Sequence, residues 1–238
     1  MVNKLRFLCK QEYAFTLAEV LITLVIIGVV AAIATPIVLN KYKTRQYYAG
    51  AMKAYSALNQ MASKYYIDNG ELPRCAYPSD YTSAIYLDDC NLLYNYFVKS
   101  MMVMQHCEKD AYTKGCIPDY KGIDTATIVD GATGGCSGFS QASIRSNSAI
   151  VTSDGMIYIP YQEGDTKYPV YMVDVNGHKG PNKFGSDIHF FTVVYNASNK
   201  SFEKPVKFAP GSVCAFYEKN GYKTEKLLLD DIKYDWQL

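Results

Sequence analysis

Apolar residues run almost unbroken from Phe15 to Leu39, about 25 positions interrupted by a single carboxylate, Glu19. At about 1.5 Å per helical residue, such a run spans a hydrocarbon core of roughly 30 Å. An ionisable group inside it is expensive and marks a functional position by default. Thr35-Pro36, near the far end, predicts a kink or loosened turn, because proline removes an i→i−4 hydrogen bond. Beyond it the pattern becomes amphipathic. Tyr48, Ala51, Met52, Tyr55, Leu58, Met61, Ala62 and Tyr65 recur at helical spacing, with Lys53, Asn59 and Lys64 between them. Asp68-Asn69-Gly70 followed by Pro73 is a helix stop. The two patterns together predict one helix from Phe15 to Asp68, roughly 80 Å long.

From Pro73 to Leu238 the period shortens. Ala149 to Thr152, the turn Ser153-Asp154-Gly155, and Met156 to Pro160 predict a β-hairpin. Tyr168 to Val175 and His189 to Tyr195 predict further strands, and Ser201 to Phe208 a weaker one. Leu92, Leu93, Tyr96, Phe97, Ser100, Met101 and Met104 predict a short helix between Asn91 and Cys107. The glycine-rich run Gly131 to Gly138 predicts a loop. It lacks the spacing of a phosphate-binding loop. These roughly 165 residues are enough for one domain with its own core, and no linker or repeat divides them.

Net charge is +1, which gives no case for nucleic acid as a partner. Cys75, Cys90, Cys107, Cys116, Cys136 and Cys214 are an even set at wide spacing, as expected of disulfides in an oxidising compartment. Six cysteines allow 15 connectivities, and the sequence does not choose among them. No C-x-x-C pair supports a zinc or thioredoxin-like site, and His106-Cys107 reads as a disulfide cysteine beside a surface histidine. The remaining histidines, His178 and His189, sit in no G-x-S-x-G or H-E-x-x-H context. The sequence therefore predicts no enzyme and no resident cofactor, with a membrane-tethered hydrolase as the remote enzymatic alternative.

The leader ahead of the apolar run, Met1 to Ala14, carries Lys4, Arg6 and Lys10 against Glu12. A basic leader, the junction Ala14-Phe15, and Glu19 on the fifth residue past that junction resemble the type IV prepilin class, which includes type IV pilins and type II secretion pseudopilins. The resemblance implies cleavage between Ala14 and Phe15 by prepilin peptidase and methylation of the Phe15 amine. It departs from the usual pattern in having Ala14 where glycine is common, which implies slower processing. It assigns assembly roles to Glu19, as partner of a subunit's N-terminal amine, and to Pro36, in a region that can lose helicity on filament formation. Cys9 lies ahead of any apolar run and is no acylation site.

The same resemblance implies an α+β, pilin-like fold. A leader (1–14), a transmembrane helix (15–39) and its amphipathic continuation (40–70) precede a disulfide-containing, mainly antiparallel β ectodomain (71–238). Other pilin or pseudopilin subunits, the assembly platform and the inner membrane are the implied partners. The N-terminus is expected on the cytoplasmic side and the ectodomain outside; Lys41, Lys43 and Arg45 match the leader's positive count, so charge alone does not orient the helix. An alternative reads Ala32-Ile33-Ala34 as an ordinary signal peptidase site, releasing a secreted or anchored binding protein from Thr35. Asp174 to Asp187 is similar to a D-x-N-G-x-x-G-P-N-x-x-G-x-D loop of prepilin-like proteins. Asp174, Asn176 and Asp187 could supply calcium ligands, although the loop is no EF-hand: Lys179 and Gly185 stand where Gly and Glu are required. The other reading is a loop closed by its own side-chain to backbone bonds, with Lys179 and Lys183 placing positive charge in it.

Overall fold

A computed structural model describes residues 15–73, 75, 84–120, 141–161, 169–182, 186–194 and 206–208. Ala14, the Gly131–Gly138 run, Lys183, Cys136 and Cys214 lie outside them. The chain divides into two units, Met1–Lys43 and Thr44–Leu238.

Helix α1 (Leu17–Asn69) runs without a break through Pro36 and belongs to both units. In the first unit every described residue from Phe15 to Lys43 is exposed. Fifteen of these are large apolar side chains between Phe15 and Leu39, each at least 46% exposed. Leaving them in water would forfeit on the order of 20 kcal/mol. The segment is long and apolar enough to cross a membrane, and with the leader pattern it fits membrane anchoring.

In the second unit α1 presents a buried stripe of Tyr47, Ala51, Ala54, Leu58, Ala62 and Tyr65. The amphipathic pattern located this face, but its centre is smaller than expected, because alanines let the sheet come close. Gly50 marks the limit of that approach: a Cβ there would stand 2.9 Å from Val175 Cβ. Gly70 ends the helix at φ +85°, donating its N–H to Tyr66 O at 2.7 Å. Helix α2 (Ala84–Ser100) adds Leu93, Tyr94 and Phe97 to the same core. Tyr96 stacks edge-on against Tyr65 and donates a hydrogen bond to Asp68.

Six strands follow: β1 (Val103–Cys107), β2 (Ala149–Thr152), β3 (Ile157–Tyr161), β4 (Val170–Asp174), β5 (Ile188–Val193) and β6 (Val206–Phe208). They form one sheet in chain order, every neighbouring pair antiparallel. The expected hairpin is β2–β3. The helix expected to reach Met104 is shorter: α2 stops at Ser100 and Val103–Cys107 is a strand, with Met102 and Met104 exposed beside it. Both faces of the sheet are covered, and so β4, Val-Tyr-Met-Val-Asp, is buried at all five positions and shows no alternation. One face packs on α1 and α2 through Tyr158, Tyr171, Val173 and Phe191. The other, with Ile157, Ile159, Met172 and Phe190, is covered by Ala111, Ile117 and Tyr120 and by Ile144 of the short helix α3 (Gln141–Ser146).

Two disulfides staple this unit. Cys75–Cys90 spans 15 residues and Cys107–Cys116 spans 9. Each should stabilise the fold by about 3 kcal/mol through restriction of the unfolded chain. Three disulfides are expected in all, which leaves Cys136 and Cys214 for the third. Thiol titration of the denatured, unreduced chain should find only the leader cysteine, Cys9, and none once the leader is removed. Four or more free thiols after leader removal would refute the framework.

Candidate processing and assembly site

The N-terminal edge of α1 is built by two residues. Thr16 is the cap: the Glu19 N–H donates to Thr16 Oγ1 at 3.2 Å. Glu19 reaches back, and its Oε2 accepts from both the Thr16 N–H and the Thr16 hydroxyl at 2.8 Å. This is a capping box, with two orphan donors of the helix start satisfied reciprocally. The carboxylate also lies at the positive end of the helix dipole. Glu19 therefore has a partner before any second subunit is considered, which the sequence reading did not anticipate. The signal was present in Thr16-x-x-Glu19 immediately before an apolar run. Phe15, 85% exposed, directly precedes the cap, so an amine generated at Phe15 would start one residue from the group that holds Glu19. Pro36 lies mid-helix, and the neighbouring Thr35 hydroxyl donates to Ala31 O at 2.7 Å.

The histidines are scattered. His106 stands beside the disulfide cysteine Cys107, its ring 5.7 Å from that of Tyr94. His178 is exposed. His189 is fully buried in β5, where burial pushes its pKa down to about 3 and keeps it neutral. Among the described residues no three His, Cys, Asp or Glu side chains gather as a metal or catalytic cluster.

Between β4 and β5 the structure does bring Asp174, Asn176 and Asp187 together. Both aspartates are fully buried. Asp174 Oδ1 accepts the N–H groups of Asn176 at 3.1 Å and Gly177 at 2.8 Å. Asp187 Oδ2 accepts the Asn182 N–H at 2.8 Å, and the Asp187 carbonyl accepts from Val175. Burial, and then the negative charge of Asp187, push the Asp174 carboxyl up to about 8, against the pull of those two amides and of the Tyr120 hydroxyl. Gly177 sits at φ +64° with Gly155 O 2.2 Å from where a Cβ would be, so the loop is pressed against the β2–β3 turn. That turn is itself tied to α1 by Lys53 Nζ, 2.7 Å from Asp154 Oδ2.

Comparison with known proteins gives one positive result, on the N-terminal segment. The model of the prokaryotic N-terminal methylation motif matches residues 9–35, which contain the junction, Thr16 and Glu19. No curated protein and no solved structure matches the chain. That motif occurs in structural pilin-type proteins, and nothing in the site shows catalytic activity. With a long apolar helix rising directly from it, the matched segment fits a type IV pilin-like protein that is a substrate of prepilin peptidase.

Proposed function

We propose that the chain is a subunit of a type IV pilus or a type II secretion pseudopilus. It is cut between Ala14 and Phe15 by prepilin peptidase, methylated on Phe15, and assembled through α1. The observation that carries this reading is the capped carboxylate, Glu19, inside the methylation motif and at the head of an apolar helical segment whose residues are all exposed as far as Lys43. Fifteen exposed large apolar side chains need lipid before assembly and neighbouring helices after it. Glu19 needs, once inside either environment, a cation to offset its charge. The new amine at Phe15, of the same or an adjacent subunit, is that cation, and methylation leaves its charge in place.

The disulfides support an ectodomain on the oxidising side of the inner membrane, with the leader cytoplasmic. The assembly platform and other pilin or pseudopilin subunits are the expected partners. Intact mass and N-terminal sequencing of the membrane-derived protein should give a chain starting at methylated Phe15. A chain starting at Thr35 would establish instead a secreted protein released by ordinary signal peptidase.

A further inference from the structure

Between Val20 and Ile67, helix α1 carries five cations and no acid. The two furthest along have partners of their own. Lys53 pairs with Asp154 at 2.7 Å, and Lys64 Nζ stands 5.8 Å from the centre of the Tyr96 ring. The other three, Lys41, Lys43 and Arg45, come close together in the sequence and are all exposed. Among the described residues no carboxylate lies within ion-pair distance of any of them.

Their position follows from the apolar run ahead of them. Leu39 ends that run, and the cations begin two residues later. A bilayer of about 40–45 Å has a hydrocarbon core of about 30 Å, which leaves a headgroup layer of about 5–7 Å on each side. At about 1.5 Å per residue, that layer takes the next four or so residues of a helix. With Leu39 at the edge of the hydrocarbon, Lys41, Tyr42 and Lys43 fall within it. Tyr42 is 66% exposed, and an aromatic ring with a polar tip is favoured at that depth. The lysine stems can lie along apolar surface while their ammonium groups reach the phosphates.

A zwitterionic headgroup brings its own cation beside its phosphate and so offers these lysines little net charge. An anionic phospholipid brings a phosphate that nothing else neutralises. We infer that Lys41, Tyr42 and Lys43 form a collar that binds the phosphates of anionic phospholipids, with Arg45 the next cation along the helix. The acyl chains of such a lipid lie along the apolar run while the lysines hold its phosphate. Acidic side chains of a second copy are the rival occupant. Lipid is favoured because it surrounds this depth of every membrane-embedded monomer, before any second copy arrives. The inference rests on α1 crossing a membrane and not on filament assembly.

The test offers the full chain, in mild detergent, equal amounts of phosphatidylglycerol and phosphatidylcholine and counts retained lipid by native mass spectrometry. Each cation at an anionic surface is worth about a fivefold preference, so the two lysines should favour phosphatidylglycerol about 25-fold. Lys41→Gln combined with Lys43→Gln should remove that factor, and adding Arg45→Gln should remove what remains. The Tm of the ectodomain should not move, since no described carboxylate pairs with these side chains. About 0.5 M salt should erase most of the wild-type preference, because screening then acts within a few ångströms. Millimolar inorganic phosphate should not displace the lipid; displacement would reveal a free-anion site and overturn the collar. Equal retention of both lipids by the wild type, or an unchanged preference in the double variant, overturns it too. So does a double variant that keeps its lipid but loses self-association, which would assign the lysines to a second copy. A chain that stays in solution without detergent would overturn the membrane crossing itself, and the collar with it.

Discussion

Filaments should fall on the order of a hundredfold when Glu19 is replaced by alanine, while membrane-embedded monomer persists. Removing one partner of a desolvated ion pair commonly costs about 3–5 kcal/mol, and each 1.4 kcal/mol is about tenfold in an equilibrium. The same substitution removes the reciprocal cap with Thr16, which costs about 0.5–2 kcal/mol of helix stability. Against that, it takes a carboxylate out of an apolar segment, a gain of about 2.5–3.5 kcal/mol on insertion scales. The monomer is therefore not the casualty; the subunit contact is. Glu19→Gln keeps an acceptor for Thr16 but no charge, and should give an intermediate yield. The comparison is filament yield against membrane monomer for the three versions, with leader cleavage checked in each. Equal incorporation of wild type and Glu19→Ala would falsify the assembly role.

Gly177→Ala should cost the ectodomain about 3–5 kcal/mol, or roughly 6–20 °C in Tm, as much as truncating a large core side chain. Two terms add. A left-handed backbone at φ +64° costs a side chain about 1–2 kcal/mol, and the new methyl would meet Gly155 O at 2.2 Å, a backbone atom that cannot step aside. Gly70→Ala isolates the first term, because Gly70 has φ +85° and nothing within 4 Å of its would-be Cβ. It should lose only about 1–2 kcal/mol. Thermal unfolding of both variants separates the contributions, and equal losses would show that the Gly155 contact is not limiting.

Much of this molecule is legible in its sequence where local chemistry decides the outcome. The Phe-Thr-Leu-Ala-Glu junction, the Asp68-Asn69-Gly70 stop and the Ser153-Asp154-Gly155 turn each carry their own reason, and the structure contains the helix, its end and the hairpin. Tertiary context hides the rest. Val103–Cys107 continues an apolar run that suits a helix, and only pairing with β2 makes it a strand. Ala54 looks like filler in the sequence, yet it lies at the centre of the buried stripe because of what packs there. Asp174 and Asp187 could be picked out by residue type.

A sheet whose strands pair strictly in chain order can be laid down from one end. No strand has to be inserted between two that are already joined, and both late-closing edges belong to the first and last strands, β1 and β6. The helix face that templates the sheet precedes every strand in the sequence. A chain that emerges N-terminus first can thus bury each hairpin as it appears, and pairing between chain neighbours keeps the search for partners short. The last bond of the sequence separates cleanly from the rest: the Val206 N–H donates to Asn59 Oδ1, 147 residues away, at 3.0 Å. It closes β6 back onto α1, so the sheet can lock only once a strand far along the sequence has returned to the helix that precedes every strand.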